Sequence, residues 1–306
     1  MPAPIVAVVG PTASGKSDLA IALALRLGGE VVNTDSMQLY RGMDIGTAKL
    51  TEEEWRGVPH HLLDVLDVHE PATVAEFQAA ARGVIEDCRA RGVVPVLVGG
   101  SALYVRAVLD RFEFPGTDPA VRARLEEELA ELGPEALHRR LVELDPEAAA
   151  RIIPTNGRRV VRALEVVQIT GRPFSASLPE HEFFFDHTHL VGIDIPRPVL
   201  DERIAARVER MWAAGFVDEV RRLAGAGLRD GRTANRALGY RQVLCYLDGQ
   251  ISEEQAKQDT VSATRRFARR QDSWFRKDPR IGWVAWDDPD RLGRALETVS
   301  AGSAGR

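Results

Sequence analysis

The stretch that most constrains this chain is Gly10-Pro11-Thr12-Ala13-Ser14-Gly15-Lys16-Ser17. It fits G-x-x-x-x-G-K-[ST], the loop that cradles phosphate groups. Its setting fits as well. Ile5 to Val9 is an apolar, β-branched run that reads as a buried strand, and Asp18 to Leu27 has apolar residues at helical spacing. Gly28-Gly29 ends that helix. In the order strand, loop, helix, the loop amides and the helix N-terminus converge on one anionic group. Lys16 adds a point charge, and the Ser17 hydroxyl can ligate a magnesium ion that bridges phosphate oxygens. The motif specifies the group held, a phosphate, and leaves the rest of the ligand open.

The remaining order of elements along the chain extends this start into a sheet. Glu30 to Thr34 and Val93 to Val98 read as further strands, with helices from Thr73 to about Ala90 and from Ala102 to about Leu109. Thr73-Val74-Ala75-Glu76 is a capping box. Residues 37–72 have little regular pattern, and so long a loop region in a compact domain points to function or disorder. Alternation of strand and helix predicts an α/β fold, a P-loop parallel sheet flanked by helices. The character changes near Phe114-Pro115-Gly116, where Asp118-Pro119 opens a helical stretch interrupted at Gly133-Pro134 and Asp145-Pro146. Residues 172–188 are irregular and rich in Phe and His, and His189 to Ile195 returns as an alternating strand. The expected organisation is a catalytic α/β domain of residues 1–114 and 189–306, with an inserted helical domain of residues 115–188. Beyond it, helices are expected over 198–213, 216–224, 235–247 and 252–276, then a last strand over 281–286, a short C-terminal helix and a frayed end at 301–306.

Composition excludes several classes. The chain has 306 residues, 44% hydrophobic and 28% charged, as in an ordinary globular protein. The net charge of −5 announces no nucleic acid globally, so any basic surface is local. No run of 18 apolar residues exists, so no membrane span is expected. The N-terminus lacks a basic region and leads directly into the first strand, unlike a signal peptide. Cys88 and Cys245 lie far apart and read as packing residues in a reducing compartment. A cytoplasmic enzyme is expected.

Asp35 follows the second strand, at the sheet edge where ligands of open α/β folds sit. A carboxylate there can ligate magnesium through water, accept a proton from a nucleophile, or simply cap a turn. The strand ending in Gly99-Gly100-Ser101 carries no Asp, which weakens an ATPase or GTPase reading. His60 and His61 are adjacent, without Cys or His at ligand spacing, and read as hydrogen-bonding loop residues. His181, His187 and His189 form a loose cluster that lacks further strong ligands. Arg265, Arg266, Arg269, Arg270, Arg276, Lys277 and Arg280, interleaved with Phe267, Trp274 and Phe275, make either an RNA-contacting surface or a solvated helix face. Arg158, Arg159 and Arg162 form a second basic stripe, on the insertion.

One ordered series decides among the readings. After the loop come Asp35-Ser36-Met37-Gln38-Leu39-Tyr40, Ile45-Gly46-Thr47-Ala48-Lys49, Pro59-His60-His61-Leu62-Leu63-Asp64 and Gly99-Gly100-Ser101-Ala102-Leu103-Tyr104. Arg162-Ala163-Leu164-Glu165-Val166, Gly239-Tyr240-Arg241-Gln242 and Arg269-Arg270-Gln271-Asp272-Ser273-Trp274-Phe275-Arg276 follow. Over nearly the whole chain this series resembles the bacterial tRNA dimethylallyltransferase family. Two departures are mild: Ser101-Ala102 stands where the family more often has Thr-Gly, and Leu238 where it has Ile.

The resemblance implies transfer of a dimethylallyl group from dimethylallyl diphosphate to the exocyclic amine of the adenosine 3′ of a tRNA anticodon. Residues 10–17 then hold the isoprenoid's diphosphate and not ATP, with magnesium (Mg2+) as cofactor on Ser17. By similarity Asp35 is the base, and Lys16 and Thr12 serve the reacting diphosphate. An arginine from the 201–210 helix completes the clamp, Arg207 first and Arg203 next. Asp35, Ser36, Met37, Gln38, Ser101, Arg122, Arg158, Arg159 and Arg162 are expected to meet the tRNA anticodon stem-loop. The target base must unstack to reach the donor. A monomer without a membrane partner is expected. Three rivals remain: a dimethylallyltransferase acting on free AMP or ADP, a small-molecule P-loop kinase, and a non-catalytic RNA-binding module.

Overall fold

The structure, a computed structural model, describes residues 2–174 and 181–304, the side chains of 301–304 excepted. Of the stretch 172–188, residues 175–180 lie outside the described residues, as do 305 and 306 of the C-terminal stretch.

Six strands form one parallel sheet: β1 (Ile5–Val9), β2 (Gly29–Asn33), β3 (His60–His61), β4 (Val94–Gly99), β5 (Thr188–Asp194) and β6 (Ile281–Ala285), in the order β3-β2-β4-β1-β5-β6. The phosphate-loop strand β1 is thus central, with Val8 opposite Val98 on one side and Val191 on the other. Successive side chains of a strand point to opposite faces. Ile5, Ala7 and Val9 accordingly pack with α2 (Val74–Ala90) and α3 (Ala102–Leu109), while Val6 and Val8 pack with α1 (Lys16–Leu27).

The insertion contributes α4 (Pro119–Leu132), α5 (Pro134–Leu144), α6 (Pro146–Arg151) and α7 (Gly157–Thr170). Asp118 caps α4 by accepting from the N–H groups of Ala120 and Val121, with Pro119 at the first turn. After β5 come α8 (Arg197–Ala213), α9 (Phe216–Gly225), α10 (Tyr240–Leu247), α11 (Glu253–Phe275) and, beyond β6, α12 (Arg291–Ala304), which covers the α1 face of the sheet. The chain divides into two compact units, residues Met1–Leu109 with Phe183–Arg306, and residues Asp110–Glu182. The second unit has its own core of Leu125, Leu137, Leu141, Val160 and Leu164.

Three sequence expectations need correction. The two-residue strand β3 was hidden in the irregular stretch, because it pairs only at Val31–His60 and Val32–His61. β5 is not half-exposed: its first six residues are buried, since β1 and β6 flank it and both faces are covered. The helix expected from 235 to 247 is split into a 3-10 turn (Ala234–Arg236) and α10, with Gly239 at φ 86° between them. A side chain at Gly239 would also press on the Phe216 ring.

Candidate active site

The phosphate loop joins β1 to α1, and its Gly10, Ala13 and Gly15 take positive φ. No side chain caps the N-terminus of α1, whereas Thr73, Asn156 and Ser252 cap α2, α7 and α11. The first amides of α1 therefore stay available to an anion. Lys16 Nζ donates to the Pro11 carbonyl at 2.7 Å. Burial, and then the Arg207 charge, hold its ammonium down to about 7, with Asp35 pulling the other way. Burial likewise lowers the Arg207 guanidinium, against Asp35. Among the described residues neither cation has an ion-pair partner.

Thr12 is gripped twice. Its N–H donates to Gln271 Oε1 at 2.8 Å, and its Oγ1 accepts from Arg207 Nη1 at 3.2 Å. Gln271 Nε2 donates to the Gly100 carbonyl at 2.8 Å, so one buried amide on α11 ties the phosphate loop to the turn after β4. Arg207 Nη2 donates to the Thr47 carbonyl at 3.0 Å. Arg203 instead donates to the Ala13 carbonyl at 2.8 Å.

Asp35 lies two residues beyond β2. Its N–H donates to Asn33 Oδ1 at 2.8 Å, and its own Oδ1 accepts the Met37 N–H at 2.9 Å. It therefore caps a turn while lining a cavity of about 260 Å³. The lining of that cavity combines the polar residues Thr12, Asp35, Ser101, Arg207 and Gln271 with the apolar residues Ile204, Val208, Met211, Phe216, Leu238 and Phe267. Tyr104, near Asp35, has its hydroxyl pushed up to about 12, chiefly by burial. Lys16 and Ser17 line a second, open groove of about 710 Å³ with Lys49, Arg203, Arg207 and Arg210. Arg207 reaches both spaces.

Magnesium takes oxygen ligands and keeps several waters when bound through substrate phosphates. The donor set fits that mode. Ser17 offers one hydroxyl, and β4 ends in Gly99-Gly100 with no carboxylate. Among the described residues, the grouping of three His, Cys, Asp or Glu donors close enough to share a metal is Glu30, His61 and Cys88, away from the phosphate loop. There Arg91 forks onto Glu30 with two 2.8 Å bonds and, with His61, holds its carboxyl down to about 2 against burial. His61 thus has a Cys neighbour that its sequence surroundings did not reveal.

Thr12, Asp35, Ser36, Met37, Ser101 and Arg207 come together on the smaller cavity. Gln38 does not line it; its Nε2 donates to the Thr47 carbonyl at 3.2 Å. In the second unit Arg158 and Arg159 are exposed, while Arg122 and Arg162 both pair with the fully buried Glu165. Arg162 also holds the Pro115 and Gly116 carbonyls. Of the C-terminal basic residues, Arg266, Arg269 and Arg270 are exposed beside Trp274, whereas Arg265, Arg276 and Arg280 are engaged internally. Gln271 and Glu219 had no assigned role in the sequence. Each is a polar residue on the buried stripe of its helix, and that mismatch is the signal that marks them.

A glycine-rich loop at the carboxyl edge of a parallel sheet, with unpaired cations beside an apolar chamber, defines a P-loop protein built to hold the phosphate end of an otherwise apolar ligand. The family model described as IPP transferase matches residues 38–278. The chain belongs to that family. It is 66% identical over 298 residues to the tRNA dimethylallyltransferase of Nocardioides sp., covering 97% of this chain and 96% of that one. It is 65% identical over 300 residues to that of Thermobifida fusca, covering 96% and 94%. Among solved structures, the full-length tRNA isopentenylpyrophosphate transferase of Bacillus halodurans aligns with a TM-score of 0.72 at 40% identity over 98% of both chains. A eukaryotic dimethylallyltransferase described as acting on tRNA aligns with a TM-score of 0.82 at 26% identity, over 99% of this chain and 77% of that one.

Proposed function

We propose that this protein transfers the dimethylallyl group of dimethylallyl diphosphate to the exocyclic N6 amine of the adenosine 3′-adjacent to the anticodon in tRNA. The observation that carries the reading is the mixed lining of one cavity, which brings Asp35, Thr12 and Arg207 together with the apolar side chains of Val208, Met211, Phe216 and Phe267. Its dimensions and linings suit a five-carbon tail and a flipped base. The names of its relatives support the same substrates.

In this reading the diphosphate lies on residues 10–17. The carbon–oxygen bond of the donor breaks, its electron pair passes to the bridging oxygen, and the adenine nitrogen forms the new bond to carbon. Asp35 takes the proton that the amine gives up. Arg207, and the Lys16 ammonium that a bound diphosphate favours, meet the growing negative charge with positive charge that no ion pair offsets among the described residues. Magnesium, held by the Ser17 hydroxyl and substrate oxygens, supplies further neutralisation when bound. Ser36, Met37 and Ser101 border the base. The second unit's exposed Arg158 and Arg159 meet the phosphates of the anticodon stem-loop, while Arg122 and Arg162, engaged by Glu165, brace the helices that carry them. The protein acts as a cytoplasmic monomer; among the described residues no helix is long and apolar enough to cross a membrane.

The test is the mass of an anticodon stem-loop RNA after incubation with protein, dimethylallyl diphosphate and magnesium. A gain of one dimethylallyl unit, lost in Asp35→Ala, is expected. Modification of AMP in place of RNA would move the reading to the mononucleotide enzyme, and ATP turnover alone would overturn it.

A further inference from the structure

Glu219 is a buried carboxylate, 2% exposed, on the apolar stripe of α9 between Phe216, Val220 and Leu223. Three consecutive backbone N–H groups donate to it: Asp44 at 3.1 Å and Ile45 at 2.7 Å to Oε2, and Gly46 at 3.1 Å to Oε1. The Tyr240 hydroxyl adds a fourth bond, 2.6 Å to Oε1. Successive amides converging on an anion form the same kind of nest that binds phosphate ligands elsewhere. Here the protein supplies the anion itself.

What the nest fixes is the segment that follows. Thr47 presents its carbonyl to Arg207 Nη2, and Arg207 Nη1 donates to Thr12 Oγ1. Arg207 has no carboxylate partner among the described residues, so only neutral oxygens aim it. The segment is also pressed flat: a Cβ at Gly46 would lie 2.2 Å from the Phe216 ring and 2.5 Å from the Tyr240 ring. Lys49 clamps the far end through Asp44 at 2.7 Å and Asp64 at 2.6 Å.

We infer that Glu219 is a positioning residue for Arg207, acting through the amides of residues 44–46 and the Thr47 carbonyl. It touches neither substrate. Its carboxylate is occupied by four neutral donors and makes no ion pair with the guanidinium it aims. The inference rests on the proposed role of Arg207 at the diphosphate.

Glu219→Gln keeps the shape and turns an N–H2 group toward N–H donors. The full chain carrying it is expected to lose about 10- to 100-fold in kcat/KM for dimethylallyl diphosphate, the range for groups that orient a functional side chain. Affinity for the stem-loop RNA stays unchanged. The deciding measurement is a double-mutant cycle with Arg207→Ala, read both in kcat/KM and in calorimetric binding of inorganic diphosphate. Glu219→Gln should add nothing in the Arg207→Ala background. An equal loss in both backgrounds, or no loss with Arg207 present, overturns the inference. Should Glu219→Gln fail to fold, Tyr240→Phe removes one donor only and is expected to give a smaller loss with the same non-additivity. The diphosphate arm reads Arg207 without RNA, so a protein that binds diphosphate but modifies no RNA fails the functional proposal and leaves this one intact.

Discussion

Two groups of cations, one in each unit, are held in opposite ways. In the sheet unit, Lys16 and Arg207 are half-buried without an ion-pair partner among the described residues, and desolvation lowers both from their ordinary values. In the helical unit, Arg122 and Arg162 close on Glu165, which is fully buried. Burial pushes that carboxyl up, but the arginine bonds outweigh it and leave it below the ordinary value. The same residue types therefore do different work. Cations that carry unrelieved charge await an anion from outside; cations whose charge is met hold helices α4 and α7 together. A basic motif in a sequence does not distinguish the two, because the difference lies in what the fold sets beside it.

The comparison breaks first at Arg207. Arg207→Ala is expected to lower kcat by about 10²–10³-fold, as for loss of one pre-aimed donor. The thermal midpoint should hold or rise, since a poorly solvated cation leaves the interior. Steady-state kinetics and calorimetry on one sample read both. A fall in both would mean that Arg207 serves the fold as Arg122 does.

Glu165 is the mirror case. Glu165→Gln removes the partner of two arginines and should cost about 3 kcal/mol, the low end for a broken buried pair because both guanidiniums are partly exposed. Denaturant unfolding checks this, and kcat at saturating RNA should be kept. A third expectation concerns protons. The Lys16 value near 7 lies below its ordinary 10.5, so the unfolded chain binds more protons between these values and stability of the free protein rises with pH across that window. Diphosphate beside Lys16 restores the ammonium. Binding at about pH 8.5 should therefore take up close to one proton, measured by calorimetry in buffers of different ionisation enthalpy, and Lys16→Met should take up none. The smallest effect is expected at Arg158 and Arg159. Replacing both by Ala should lower the salt dependence of RNA binding by about one to two in slope, with kcat unchanged.

The sequence carried much of this fold because its local signals agree. The β1–loop–α1 unit, the Thr73 N-cap of α2 and the Asp118-Pro119 start each rest on residues close in the chain. Strand order did not follow, since β2 and β4 pair across α2 and nothing local records it. The buried character of β5 was missed for the same reason. In the site, the residues at the phosphate loop and after β2 were legible through their motifs. Gln271 was not: its contact with Thr12 spans 259 positions and depends on α11 crossing the loop. Nor did spacing distinguish Arg122 and Arg162, engaged by Glu165, from the exposed Arg158 and Arg159.

That Gln271 bond bears on how the protein is made. Synthesis runs from the N-terminus, so residues 10–17 emerge before the rest of the site, and β1 gains its β5 neighbour only after residue 194 has appeared. Thr12 meets its amide partner later still. A nascent chain stopped before residue 271 carries the whole phosphate motif with its Thr12 N–H still unanswered. The phosphate motif is thus made long before the residue that finishes it, and ribosome-bound chains of increasing length should acquire full diphosphate affinity only once residue 271 has emerged.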